Sequence, residues 1–258
     1  MSNCFLEGIS PEFKKKCAIA IKDAVGDDIK ADIKTNRFVT HNGDSSRIWD
    51  YINRNLSEAC NIDESIASPT KRGPWEMLPI FDKKTGVLMT VMRESRFKEL
   101  GRDKWKRKTS HYMDALASTL NPGLLPSNGE QELFSVAESD ERIEEKKKIV
   151  DNILRDLGTP LSIVRRYVVI LFESRGFDLI SLRACIINSD LQVVDQDDWS
   201  SYIEIGESNV VESTTVDNKA ADTPNHGIQY TEKAKRRKEN NISKPKTKTG
   251  QEVGCENE

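Results

Sequence analysis

Residues 74–112 read PWEMLPIFDKKTGVLMTVMRESRFKELGRDKWKRKTSHY, and the fold turns on how this stretch divides. Trp75 to Phe81 and Val87 to Arg93 have the length and apolar content of two strands. Asp82-Lys83-Lys84-Thr85-Gly86 between them suits a hairpin loop, with Gly86 able to take a positive φ. In the first strand Trp75, Met77, Pro79 and Phe81 share one face, and Leu78 and Ile80 share the other. Apolar residues on both faces predict a hairpin covered on both sides. Pro79 has no backbone donor, so the first strand is expected to carry an unpaired edge near its middle. Past the hairpin the chain turns basic and aromatic.

Working outward toward the amino end, Asn61 to Arg72 is polar, contains Pro69 and reads as a loop. Before it, a helix capped by Asp44 or Ser45 is expected, with Ile48, Tyr51, Ile52, Leu56 and Ala59 as its apolar face. Trp49 beside that stripe reads as core. Asp50 and Asn53 share a face, which would allow a polar site. A first helix opens at Ser10-Pro11-Glu12 and carries Phe13, Cys17, Ile21 and Val25 at helical spacing. Gly26 is expected to break it, and residues 27–40 fit either helix or extended chain.

Working outward toward the carboxyl end, Ser95 would cap a short helix ended by Gly101. Helices over His111–Leu120 and Glu130–Leu157 follow. Tyr167 to Phe172 reads as a buried central strand. Phe177 to Ile187 forms the next, with Ile180, Leu182, Ala184 and Ile186 facing one way. A short third strand covers Leu191–Val194, and Asp195, Asp197 and Asp198 then serve as helix caps. Beyond Ile205 the apolar pattern dissolves. The expected fold is α+β: helices packed on an antiparallel or mixed sheet built from two hairpin units. It is a single domain over residues 1–205 with a disordered basic and polar tail over 206–258. Pattern alone leaves open whether the hairpins share a sheet, but a lone hairpin is marginal, so one sheet is expected.

The composition bounds the function. The chain has 258 residues, 36% hydrophobic and 31% charged, with a net charge of −3, so no global field favours nucleic acid or membrane. The distribution is segregated, however. Arg93 to Lys108 carries +5 and Glu232 to Lys248 carries +6, which leaves −14 for the remainder. Five cysteines without CxxC, and three scattered histidines, give no zinc spacing, so no metal or cofactor is expected. The start lacks the pattern of a secretory signal, and the longest apolar run, Val168 to Phe172, cannot span a bilayer. A cytoplasmic protein with reduced thiols is expected.

Three candidate sites emerge. The first is the basic segment Arg93, Arg96, Lys98, Arg102, Lys104, Trp105, Lys106, Arg107 and Lys108, where cations would meet phosphates and an aromatic ring could stack on a base. A solvated charged loop is the plain alternative. The second is the tail run around Lys235, Arg236 and Arg237, which would contact nucleic acid or an acidic protein surface, or merely solubilise. The third is the set Glu76, Asp82 and Glu94 with Lys98, reminiscent of metal-dependent nucleases. It departs from their pattern, because Arg96 stands two residues after Glu94 where a lysine belongs, and Asp82 sits at a turn. Nucleophile elbows, phosphate-binding glycine loops and HExxH motifs are absent from the sequence.

WDYIN (Trp49–Asn53), GPWEMLPIFDKKTGVLMTVMRESRF (Gly73–Phe97) and DDWSSYI (Asp197–Ile203) resemble a family of uncharacterised bacterial proteins found in firmicute genomes and mobile elements. The resemblance spans roughly residues 10–204. It implies a bacterial, cytoplasmic, phage-associated setting and transfers no catalytic residue. The leading expectation is therefore a non-enzymatic binding protein that contacts nucleic acid through residues 93–108 and the tail. An adaptor or inhibitor linked to a phage or mobile element, and a metal-dependent nuclease, are the alternatives.

Overall fold

Every residue from Tyr167 to Phe172 is buried, because its strand lies inside a mixed sheet with helices on both faces. The computed structural model describes residues 4–61, 64–72, 75–125 and 139–204. The expected tail, with Lys235, Arg236 and Arg237, lies outside them, as do residues 126–138.

The strands are β1 (Ser65–Ala67), β2 (Thr70–Arg72), β3 (Trp75–Met77), β4 (Ile80–Asp82), β5 (Val87–Arg93), β6 (Arg166–Arg175), β7 (Asp178–Ile187) and β8 (Val193–Asp198). The helices are α1 (Cys4–Glu7), α2 (Pro11–Asp23), α3 (Ile29–Asn36), α4 (Asp44–Cys60), α5 (Glu94–Arg102), α6 (Tyr112–Leu120), α7 (Asp140–Asp156) and α8 (Ser201–Glu204). The main sheet has the order β1-β4-β5-β6-β7-β8, and β2 pairs with β3 in a separate ribbon. Among the described strands only β5 and β6 pair in parallel, and α5, α6 and α7 lie in the crossover between them. The two expected hairpins, β4–β5 and β6–β7, thus share one mixed sheet.

Period-two alternation decides which face each side chain serves. Val87, Met89, Val168, Ile170 and Phe172 pack in one core with α2 and α4. Leu88, Met92, Tyr167, Val169 and Leu171 pack in the other with α5, α6 and α7. Two apolar faces are what a strand covered on both sides requires. No helix among the described residues is long and apolar enough to cross a membrane.

Arg93 and Gly43 stand at the helix starts where caps are expected from Ser95 and from Asp44 or Ser45, and the structure corrects the expected elements at four further places. The strand expected over Trp75–Phe81 is cut at Leu78-Pro79, where the proline lacks a ladder donor. Its first half pairs with Thr70–Arg72 and its second with β1 and β5, so the expected loop before it holds two short strands. Gly26 does not break the first helix. It sits in a π-helical turn, Ala24–Asp28, where an added Cβ would come within 3.2 Å of the Phe177 carbonyl oxygen. A bulge between Glu173 and Ser174 shifts the register of β7, so Leu179 is buried while Ile180 is 48% exposed. Finally, Asp195, Asp197 and Asp198 belong to edge strand β8, and of these Asp198 accepts from the Ser200 backbone N–H at 2.9 Å.

A candidate nucleic-acid interface at the carboxyl end of β5

β5 runs directly into α5, and a cleft of ≈ 910 Å³ opens where they meet. Its position follows a general rule for sheets with parallel strands: crevices form beyond the strands' carboxyl ends. Val91 and Met92 supply the floor and Arg96, in the first turns of α5, one wall. α4 buries Ile48, Ile52 and Leu56, which leaves Trp49, Asp50 and Asn53 along its flank on the cleft. The β2–β3 ribbon closes the other side with Lys71, Trp75, Glu76 and Met77. Trp75 is 60% exposed, a large aromatic surface held out toward solvent.

The polar side chains of Asp50, Asn53, Lys71 and Glu76 make no hydrogen bond or ion pair with any described residue. Among the described residues Arg96 is held only by an exposed i,i+3 pair with Glu99 at 3.0 Å. At the far end His111 caps α6: its Nδ1 accepts from the Met113 backbone N–H at 3.3 Å, which requires that nitrogen to be unprotonated. Beneath the cleft Trp49 meets Phe172 edge-on at 5.7 Å, and the Arg93 guanidinium lies 5.7 Å from the same ring. Burial holds the Arg93 pKa below its ordinary value.

The basic segment is not one surface. Lys104 is buried and donates to the Ser189 carbonyl at 2.8 Å and to Asp190. Arg107 donates to the Leu100 carbonyl at 2.8 Å and pairs with the fully buried Asp114 at 3.0 Å. These two cations are internal struts. Lys98 and Arg102 stand on the outer side of α5 with weak partners, Glu94 at 3.4 Å and Asp103 at 3.5 Å. Lys106 pairs with Asp103 at 2.9 Å, and Lys108 is exposed. The Trp105 backbone forms a short 3-10 turn with Lys104 and Lys106, and its side chain lies outside the described set. Among the described side chains of the basic segment, Arg96 alone lines the cleft.

The nuclease-like set is not brought together. Asp82 accepts from the Lys84 backbone N–H at 3.0 Å and the Thr85 hydroxyl at 2.5 Å in the hairpin turn. Glu94 accepts from Arg183 at 2.7 Å at the opposite end of β5, roughly 20 Å away along the strand. Glu76 stands apart on the ribbon. Among the described residues no group of three or more His, Cys, Asp or Glu is placed to hold a metal ion.

Sequence reasoning placed Asp50 and Asn53 on one face and singled out Glu76 only with Asp82 and Glu94; it missed Lys71, Trp75 and His111 as members of the same cleft. The available signal was Pro79, whose missing donor marks where the ribbon leaves the sheet. No match was found among the curated proteins or the solved structures. A family model covers residues 6–248, and the chain belongs to the family of unknown function DUF5986.

Proposed function

We propose that this protein is a non-enzymatic binder of single-stranded nucleic acid. The observation that carries this reading is Arg96: a cation of the basic segment stands in a cleft walled by an exposed tryptophan. The strand backbone lies along Arg102, Lys106 and Lys108, and a base enters the cleft to stack on Trp75. A stacked base contributes about 1–3 kcal/mol whatever its identity. Lys71 and Arg96 neutralise the flanking phosphates, and a volume of ≈ 910 Å³ accommodates one or two nucleotides. The setting we propose, a bacterial cytoplasm with a phage or mobile-element context, rests on the resemblance of the WDYIN, GPWEMLPIFDKKTGVLMTVMRESRF and DDWSSYI stretches.

The test is fluorescence anisotropy of the full chain with a labelled oligonucleotide across a salt series. Binding is expected to weaken steeply as salt rises, since each phosphate that is neutralised releases counterions. Trp75→Ala is expected to cost about tenfold or more in affinity. Replacing Arg102, Lys106 and Lys108 with Ala flattens the salt slope by about one for each phosphate no longer neutralised. Lys104 and Arg107 are excluded from this set, because their removal would unfold the turn they brace. Affinity that ignores salt, or an unchanged Trp75→Ala variant, would count against the reading. Capture of a partner that survives nuclease treatment would favour the adaptor alternative instead.

A further inference from the structure

We infer that the cleft prefers guanine, and that Asp50 is the residue that reads it; the inference rests on the nucleic-acid reading above. The starting point is an oddity of charge. A groove built only for phosphate would exclude carboxylates, yet this cleft holds Asp50 and Glu76, neither with a cation partner among the described residues. The acidic residues along α3 and α4 outside the cleft behave differently: Asp28 in the turn before α3, Asp32 on α3 and Asp44 at the start of α4 are each engaged by arginine. Asp50 is exposed at the cleft wall, one residue from Trp49 and one helical turn from Asn53, whose amide is also uncommitted.

An ionised carboxylate only accepts hydrogen bonds, and it offers two parallel acceptors. It therefore selects a ligand edge with two adjacent donors. Guanine presents such a pair, N1–H and the exocyclic N2 amine. Cytosine and adenine each offer one amine beside an acceptor nitrogen. Thymine and uracil offer one N–H flanked by two carbonyls. A base stacked on Trp75 with its edge turned to α4 would thus satisfy Asp50 fully only as guanine, while the Asn53 amide can donate to the guanine O6 acceptor. Lys71 and Arg96 on the other walls remain for phosphate. The cations then hold the backbone, and of the two carboxylates Asp50, on the same helix face as the Asn53 amide, reads the base.

The decisive experiment compares oligo(dT) with the same oligonucleotide carrying interspersed guanines, by anisotropy at one fixed salt concentration. Wild type is expected to favour the guanine-bearing strand by about tenfold or more. Asp50→Asn keeps the volume but replaces one acceptor with a donor. It is expected to erase the preference while binding oligo(dT) as well as wild type or better, since a charge that repels phosphate is gone. Interspersed adenines or cytosines in place of guanine should give no such gain. If wild type binds all the strands equally, or Asp50→Asn keeps the preference, the guanine inference is overturned while the nucleic-acid reading stands. If no strand binds, the nucleic-acid reading falls and this one with it. Tighter binding of a peptide or other zwitterion than of any oligonucleotide would likewise overturn both.

Discussion

Asn121 shows how much one side chain can hold together. It is 1% exposed, at the end of α6, and all of its amide is used. Its Nδ2 donates to the carbonyls of Tyr167 and Ile187 at 2.8 Å each, and its Oδ1 accepts from the Tyr167 backbone N–H at 3.0 Å. Tyr167 and Ile187 stand just outside the first β6–β7 register pair, Val168–Ile186, so the amide bridges the two strands where their own pairing ends. A buried unpaired polar group costs about 1–3 kcal/mol, so Asn121→Ala, which strands three, is expected to destabilise the protein by about 3 kcal/mol or more. Urea unfolding would show this as a lower midpoint at unchanged slope. Asn121→Asp cannot substitute, since a carboxylate has no donor for the two carbonyls. None of this was legible beforehand. Asn121-Pro122-Gly123 reads as a simple helix stop, and the partners lie 46 and 66 residues further along the chain.

Among elements, the β4–β5 hairpin was readable and the β2–β3 ribbon was not, for reasons that differ in kind. The hairpin is local: two apolar runs, a short polar loop and Gly86 at φ 74° follow from chemistry within one stretch. The ribbon pairs Thr70, Lys71 and Arg72 with Met77, Glu76 and Trp75, and its exposed position removes the apolar alternation by which a strand is recognised. The bulge that turns Ile180 outward was equally invisible, because register is set by the partner strand. Gly86 and Gly101 test the local part of this reasoning. At Gly86 the positive φ combines with crowding, for an added Cβ would lie 2.9 Å from Arg165 Cγ and 3.0 Å from the Ile163 carbonyl. Gly86→Ala is therefore expected to cost about 1–3 kcal/mol from backbone conformation alone, and more from the crowding. Gly101 lies inside α5 with nothing within 4 Å of a built Cβ. Gly101→Ala is expected to raise stability by up to about 1 kcal/mol. Thermal melts of the two variants should move in opposite directions.

At the scale of the whole molecule, stability should be bounded on the acid side by carboxylates and on the alkaline side by thiols. Hydrogen bonds from Lys106, Thr70 and Ser200 hold Asp103, Asp156 and Asp198 below the usual carboxylate range. Groups lowered on folding contribute stability that is present above their unfolded pKa and fades as pH falls below about 4. The alkaline limb is the more distinctive. Cys17, wholly buried between α2 and α4 with Cys60 Sγ 4.0 Å away, is pushed well above the ordinary thiol value, first by burial and then by that neighbour. Burial pushes Cys185, inside β7, up to about 12. For an acid whose pKa is raised on folding, stability is complete below the unfolded pKa, about 8.5 for a thiol, and is lost as pH climbs from there toward the folded value. Between those limits the unfolded chain sheds protons that the folded chain keeps. Each such thiol removes about 1.4 kcal/mol per pH unit. In reducing buffer the urea midpoint is therefore expected to decline above about pH 8.5, before the unfolded tyrosine pKa near 10 is reached. Cys185→Ala is expected to start from a somewhat lower midpoint at neutral pH, because the sulfur no longer fills its place in the core, and then to decline less steeply. A slope identical to wild type would mean that the Cys185 thiol ionises as readily in the folded protein as in the unfolded chain, against its place in the sheet.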